Sequence, residues 1–119
     1  MAVFANLYID QGSTFTSTVT VEDANDNLVS ITDYTTRGQI RKSYTSTTAT
    51  NFTTTITDAT NGEFTIALSR TQTGALKAGR YVYDVEVISP AGAVTRVVEG
   101  QITVNSRVTQ PDDYSPGYG

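Results

Sequence analysis

Reaction chemistry in this chain would have to come from carboxylates, because histidine and cysteine are both absent. Two groups of acids have spacing worth testing. The run Asp23-Ala-Asn-Asp-Asn27 imitates the start of a calcium loop, with oxygen ligands at alternate positions. Such a loop needs glycine at its sixth position and a bidentate glutamate at its twelfth. Leu28 and Tyr34 stand there, so a solvated hairpin turn is the reading and a metal site is not expected. Asp84 and Glu86 form the second group, two carboxylates on one face of an alternating strand. Glycosidic chemistry sets two carboxylates across a cleft at a defined separation. A pair on one strand face suits cross-strand ion pairs with Arg96 or Arg41 instead.

Other chemistries fail on residue type. A nucleophilic triad lacks its histidine base, structural zinc lacks its usual ligands, and no GxxxxGK[ST] phosphate loop occurs. No catalytic residue, no metal ligand and no cofactor site is assigned, and the expected protein is not an enzyme. Asn51-Phe-Thr53 is a formal glycosylation sequon. The N-terminus has no basic region ahead of an apolar run, so no signal peptide is read. No apolar stretch approaches the roughly 18 residues that span a bilayer. A net charge of −4 and eight scattered basic residues argue against a nucleic-acid surface.

The elements that hold these residues are strands. Of 119 residues 22 are threonine, a β-branched type that suits a pleated surface and keeps it soluble without charge. Alternation predicts a strand near Val3 to Ile9. A second has Phe15, Ser17, Val19 and Val21 inward; a third, from Tyr34 to Ser43, has Tyr34, Thr36, Gly38 and Ile40 on one face. A hairpin follows, with Phe52, Thr54 and Ile56 inward, a turn at Asp58–Gly62, then Phe64, Ile66 and Leu68 inward. Asn61-Gly62 supplies residues tolerant of positive φ at that turn. Ser69 to Leu76 is the one plausible helical turn, capped by Ser69 or Thr71. Strands at Arg80–Ile88 and Val94–Val104 close the pattern, with Gly100 expected as a bulge or kink.

About seven short strands with regular turn signals predict an all-β, immunoglobulin-like antiparallel β-sandwich over residues 1–106. In such sandwiches a tyrosine near the start of the sixth strand folds its hydroxyl back onto the preceding corner, two residues before the cysteine of antibody domains. Gly79-Arg-Tyr-Val-Tyr83 matches that setting. Gly79 and Tyr81 would make the corner, and Tyr83 would take the cysteine's place in the core. An ordinary amphipathic strand with two packed tyrosines is the alternative.

Residues 107–119 differ in kind, with two prolines, two glycines and two aspartates. They are expected to form an extended tail, an arm that packs on another subunit through Pro111, Tyr114, Pro116 and Tyr118. Tyrosine is a natural anchor for a neighbour's groove. Folding back onto its own domain is the alternative.

Several stretches in order carry a resemblance: Gln39-Ile-Arg41, Asn61-Gly-Glu-Phe-Thr-Ile-Ala-Leu68, Ala75-Leu-Lys-Ala-Gly-Arg-Tyr-Val-Tyr-Asp-Val85 and Val98-Glu-Gly-Gln-Ile-Thr-Val104. Over about residues 5–109 the chain resembles small immunoglobulin-like virion proteins of tailed bacteriophages, including the N-terminal domain of the baseplate upper protein type. The resemblance implies a non-enzymatic structural subunit of tail, baseplate, neck or fibre attachment. Such a subunit is made in the host cytoplasm and docked onto other virion proteins in a symmetric, multi-copy assembly. A capsid decoration protein is the close alternative, and a surface module binding host glycan is a further one. No nucleic acid and no membrane is expected as partner.

Overall fold

The computed structural model describes residues 3–108. Ten elements follow in chain order: β1 (Val3–Phe4), β2 (Leu7–Asp10), β3 (Phe15–Thr20), β4 (Thr35–Arg41), β5 (Thr50–Asn51), β6 (Thr53–Asp58), β7 (Glu63–Leu68), α1 (Arg70–Ala75), β8 (Gly79–Ile88) and β9 (Val94–Asn105). They form an immunoglobulin-like sandwich. One sheet runs β1/β2-β9-β8-β4-β5 and the other β3-β7-β6. All pairings are antiparallel except those of β1 and β2, which run parallel to β9.

Alternation places the core between the sheets. Ile40, Phe64, Ile66, Leu68, Val85 and Ile102 are almost wholly removed from water. Each such side chain contributes about 1.5–3 kcal/mol from burial. Phe52 crosses between the layers, where β5 ends in one sheet and β6 begins in the other. Its N–H donates to the Gly38 carbonyl at 3.0 Å, and its ring meets Phe15 and Tyr83 at centroid separations of 6.4 and 6.2 Å. Thr36 and Thr54 tie the sheets together through a hydroxyl–hydroxyl bond of 2.8 Å.

The helical turn begins where a capping box fits. The Ser69 hydroxyl accepts from the Gln72 N–H while the Gln72 side chain accepts from the Ser69 N–H. Ser69, rather than Thr71, is therefore the cap. Buried Thr73 donates its hydroxyl to the Ser13 carbonyl at 2.7 Å, and buried Gln11 donates to the Leu76 carbonyl at 2.8 Å. Gln11 also accepts from the Arg107 N–H, so both halves of its amide are satisfied.

The structure departs from expectation in several places. The N-terminal strand is interrupted at Ala5–Asn6, yet its register on β9 is unchanged on either side. The Ala5 N–H still donates to Glu99, and the Asn6 side chain accepts from the Gln101 N–H. Gly100 lies in regular register opposite Tyr83. The irregularity in β9 falls instead between the partners of Val85 and Glu86. A Cβ on Gly100 would meet the Ala5 carbonyl oxygen at 2.1 Å, so this glycine serves close approach of two backbones, not a kink. Ile56 is 36% exposed because β6 slips register after it and leaves the sheet rim. At the hairpin turn only Gly62 adopts positive φ (71°); Asn61 does not.

Candidate docking face

Tyr81 and Tyr83 are both buried. The Tyr81 hydroxyl donates to the Lys77 carbonyl at 2.7 Å, a bond back across four residues onto the corner before β8. Gly79 opens that strand with φ of 136°, a conformation that side chains oppose. Lys42 covers the corner, donating to the Arg80 carbonyl at 2.9 Å and lying 4.7 Å above the Tyr81 ring. Tyr83 points across the core and donates to the Ala5 carbonyl at 2.7 Å. Burial pushes its phenol up to about 12. Tyr81 thus fixes the corner before β8, and Tyr83 ties the N-terminal strand to the core.

With odd-numbered β8 residues pointing inward, Val82, Asp84 and Glu86 face outward on the six-stranded sheet. Register aligns them with Arg41, Gln39 and Arg37 on β4 and with Gln101, Glu99 and Arg96 on β9. The charges pair across strands. Arg37 holds Glu86 at 2.8 Å, while Arg96 reaches Asp84 at 3.4 Å and Glu99 at 3.8 Å. Arg41 reaches no carboxylate in this network; its guanidinium donates to the Ser46 carbonyl and to Gln39. The carboxylates thus take Arg37 and Arg96 as partners. Pairs this exposed contribute about 0–1 kcal/mol each, so their main effect is to order the surface.

Partial burial raises the Asp84 carboxyl above its ordinary value. Arg96 opposes that shift, Glu86 and Glu99 reinforce it, and Arg41 opposes it. A carboxyl raised in the folded state opposes folding once ionised. Its effect is absent at low pH and grows as pH rises from the ordinary value near 3.8 through the higher folded value. Asp84→Asn is therefore expected to leave stability at neutral pH unchanged or slightly higher. It should also remove a decline in stability that begins above pH 3.8. Urea titrations across pH would show this; a marked loss of stability at neutral pH would contradict it.

The face is a shallow concavity of about 390 Å³ flanked by exposed aromatics. Tyr44, 79% exposed, stands at the β4–β5 side. Phe4 and Tyr8, 68% and 69% exposed, stand at the opposite edge, in register with Glu99 and Thr103. Sequence reasoning did not single out Phe4, because period-2 alternation shows which residues share a face but not which face is buried. No group of three or more metal-ligating side chains comes together among the described residues. Asp23 folds its carboxylate onto its own turn, accepting from the Asn25 and Asn27 N–H groups at 2.8 and 3.0 Å. Pro111, Tyr114, Pro116 and Tyr118 lie outside the described residues.

No protein-family model and no curated protein matches the chain. Among solved structures it is similar to a Listeria monocytogenes internalin-like protein, lmo2027, at 22% identity and a TM-score of 0.44. That alignment covers 87% of this chain and 28% of the other. It is also similar to the GspB Siglec domain, at 16% identity and a TM-score of 0.47. Here 92% of this chain and 57% of the other are covered, so the chain spans only part of both proteins.

Proposed function

We propose that the chain is a non-enzymatic docking module, a structural subunit of a tailed-phage particle that binds its neighbours through the outer face of the six-stranded sheet. The observation that carries docking is the placement of Phe4, Tyr8 and Tyr44 around an ordered network of paired charges. Tyrosine and phenylalanine are enriched in protein interfaces, and tyrosine is a frequent anchor there. Five strand positions about 4.8 Å apart, centred on β4, β8 and β9 of seven, ten and twelve residues, give a face of order 20 by 25 Å. That is the scale of one partner's share of a modest specific interface. The phage setting rests on the sequence resemblance. The tail beginning at residue 107 is proposed as a second point of attachment.

Particles assembled with a Tyr8→Glu, Tyr44→Glu variant test the reading. Incorporation, measured by quantitative mass spectrometry, is expected to fall at least about tenfold while the melting temperature of the free chain is unchanged. Normal incorporation would remove the face, and absence of the wild-type chain from purified particles would remove the virion assignment. Copy number per particle separates a tail component from a capsid decoration protein. The concavity beside Tyr44 also fits a sugar stacked on the ring, the second reading, which host-polysaccharide arrays address directly.

A further inference from the structure

Among the described residues, no strand pairs with the outer edge of β3. Constant-type immunoglobulin sheets place the first strand beside the second, in a four-stranded layer. Here β1 and β2 pair with β9 in the other sheet, so β3 is an outer strand of a three-stranded layer. Its backbone direction can be derived. The Val21 N–H donates to the Gly62 carbonyl at 2.9 Å, continuing the β3–β7 register. Antiparallel ladders alternate bonded and non-bonded pairs. Phe15, Ser17 and Val19 therefore bond to β7, and Thr16, Thr18 and Thr20 aim their N–H and C=O groups outward.

Proteins blunt such edges with shortness, charge, proline or bulges. The other edges carry one of these devices: β5 has two residues, β1/β2 is interrupted at Ala5–Asn6, and β6 slips register before Asp58. Phe15-Thr-Ser-Thr-Val-Thr20 has none of them. Its threonine side chains are exposed, and exposed Val3 lines the same shallow depression as Thr20 and Val21.

We infer that β3 pairs antiparallel with β3 of a second copy, joining two three-stranded sheets into one of six strands. Only residues of equal parity can face each other if inward and outward sides are to match. The two-fold register that uses all three free threonines sets Thr18 against Thr18 of the second copy and Thr16 against Thr20. That arrangement closes about six backbone bonds and stacks threonine on threonine across strands. Charge selects orientation. Parallel pairing would bring the acidic Glu22–Asp26 turns of both copies together. Antiparallel pairing separates them and turns each toward the Gly12 corner of the other copy, where Arg107 packs. This interface is on the opposite sheet from the docking face and stands or falls independently of it.

Analytical ultracentrifugation of the full chain from about 1 µM to about 1 mM should show a monomer–dimer equilibrium. Amide exchange at Thr16, Thr18 and Thr20 should slow as concentration rises, while Phe15, Ser17 and Val19 are unchanged. Thr18→Lys sets like charges opposite at the two-fold axis and should weaken association by about tenfold or more, as should Thr18→Glu. Mixing the two variants should restore a dimer. Thr18→Pro, tolerated because this N–H faces outward, should give a folded monomer and guards against misfolding of the charged variants. A chain monomeric throughout, a dimer insensitive to all three substitutions, or lysine and glutamate variants that fail to recombine would each overturn the pairing.

Discussion

Gly100→Ala is expected to destabilise the protein by about 3 kcal/mol, with the loss concentrated at the N-terminal strand. The added methyl would meet the Ala5 carbonyl oxygen at 2.1 Å and the Ala5 carbonyl carbon at 2.8 Å. Backbone cannot yield as a flexible side chain can, so β1 and the start of β2 must lift from β9. Two further bonds go with them: the Ala5 N–H to Glu99 and the Tyr83 hydroxyl to Ala5. For a domain of this size the melting temperature should fall by roughly 10 °C. Amide exchange along β2 should accelerate more than exchange along β7. The alternative, that Gly100 is needed for a kink in β9 itself, predicts a different double-mutant cycle. If Ala5 is the obstacle, deleting residues 1–6 makes the alanine nearly neutral. If the alanine is as costly in the truncated chain, the close-approach account fails.

That glycine also shows where sequence reading stops. A break in an alternating run, Val98-Glu-Gly-Gln-Ile102, marks a special backbone position but gives no information about what approaches it. Gly100 is explained by Ala5, which is 95 residues away in the chain, and only pairing register brings the two together. What alternation does show is the inward set: Val19, Ile40, Phe64, Ile66, Leu68, Tyr83 and Val85 are buried as period 2 requires. The all-β sandwich follows from those strands and their turns. Parallel pairing of the first strands with β9, which leaves β3 at a sheet edge among the described residues, does not follow, because alternation is indifferent to which neighbour a strand takes.

The candidate face was legible in part for the same reason. Asp84 and Glu86 belong to one outward face by parity, and cross-strand arginines are their natural partners. Choosing among arginines requires register. Arg41 lies opposite Val82, while Arg37 lies opposite Glu86, so the nearer guanidinium takes the carboxylate. Tyr44, one of the tyrosines left over from the core, stands at the rim because Ser43 to Ala49 forms turns beyond β4. The exposure of Phe4 depends on β1 joining the edge of a sheet whose outer side has no covering layer among the described residues.

Tyr83 should be the most sensitive side chain of β8, and two substitutions separate what its ring and its hydroxyl do. Tyr83→Ala is expected to cost about 3–5 kcal/mol, since the ring fills the core and meets Phe52 edge-on at 6.2 Å. Tyr83→Phe keeps that packing and removes only the bond to Ala5, for about 1 kcal/mol. The hydroxyl leaves a second signature in alkali. An unfolded tyrosine ionises near 10, whereas burial holds Tyr83 neutral until about 12. Between those values the native chain retains a proton that the unfolded chain releases, so stability falls as pH rises; below pH 10 this contribution is complete. Tyr83→Phe should therefore unfold with a shallower dependence on pH in that interval, measured against wild type by urea titration. Tyr81, also raised by burial, remains as a common background in both proteins. An unchanged alkaline slope would mean that the Tyr83 hydroxyl is not held neutral by the fold. Coupling provides an independent check. Tyr83→Phe and Gly100→Ala both act through the Ala5 carbonyl, so the double variant should be less destabilised than the sum of the two. Strict additivity would show that the tyrosine and the N-terminal strand are anchored separately.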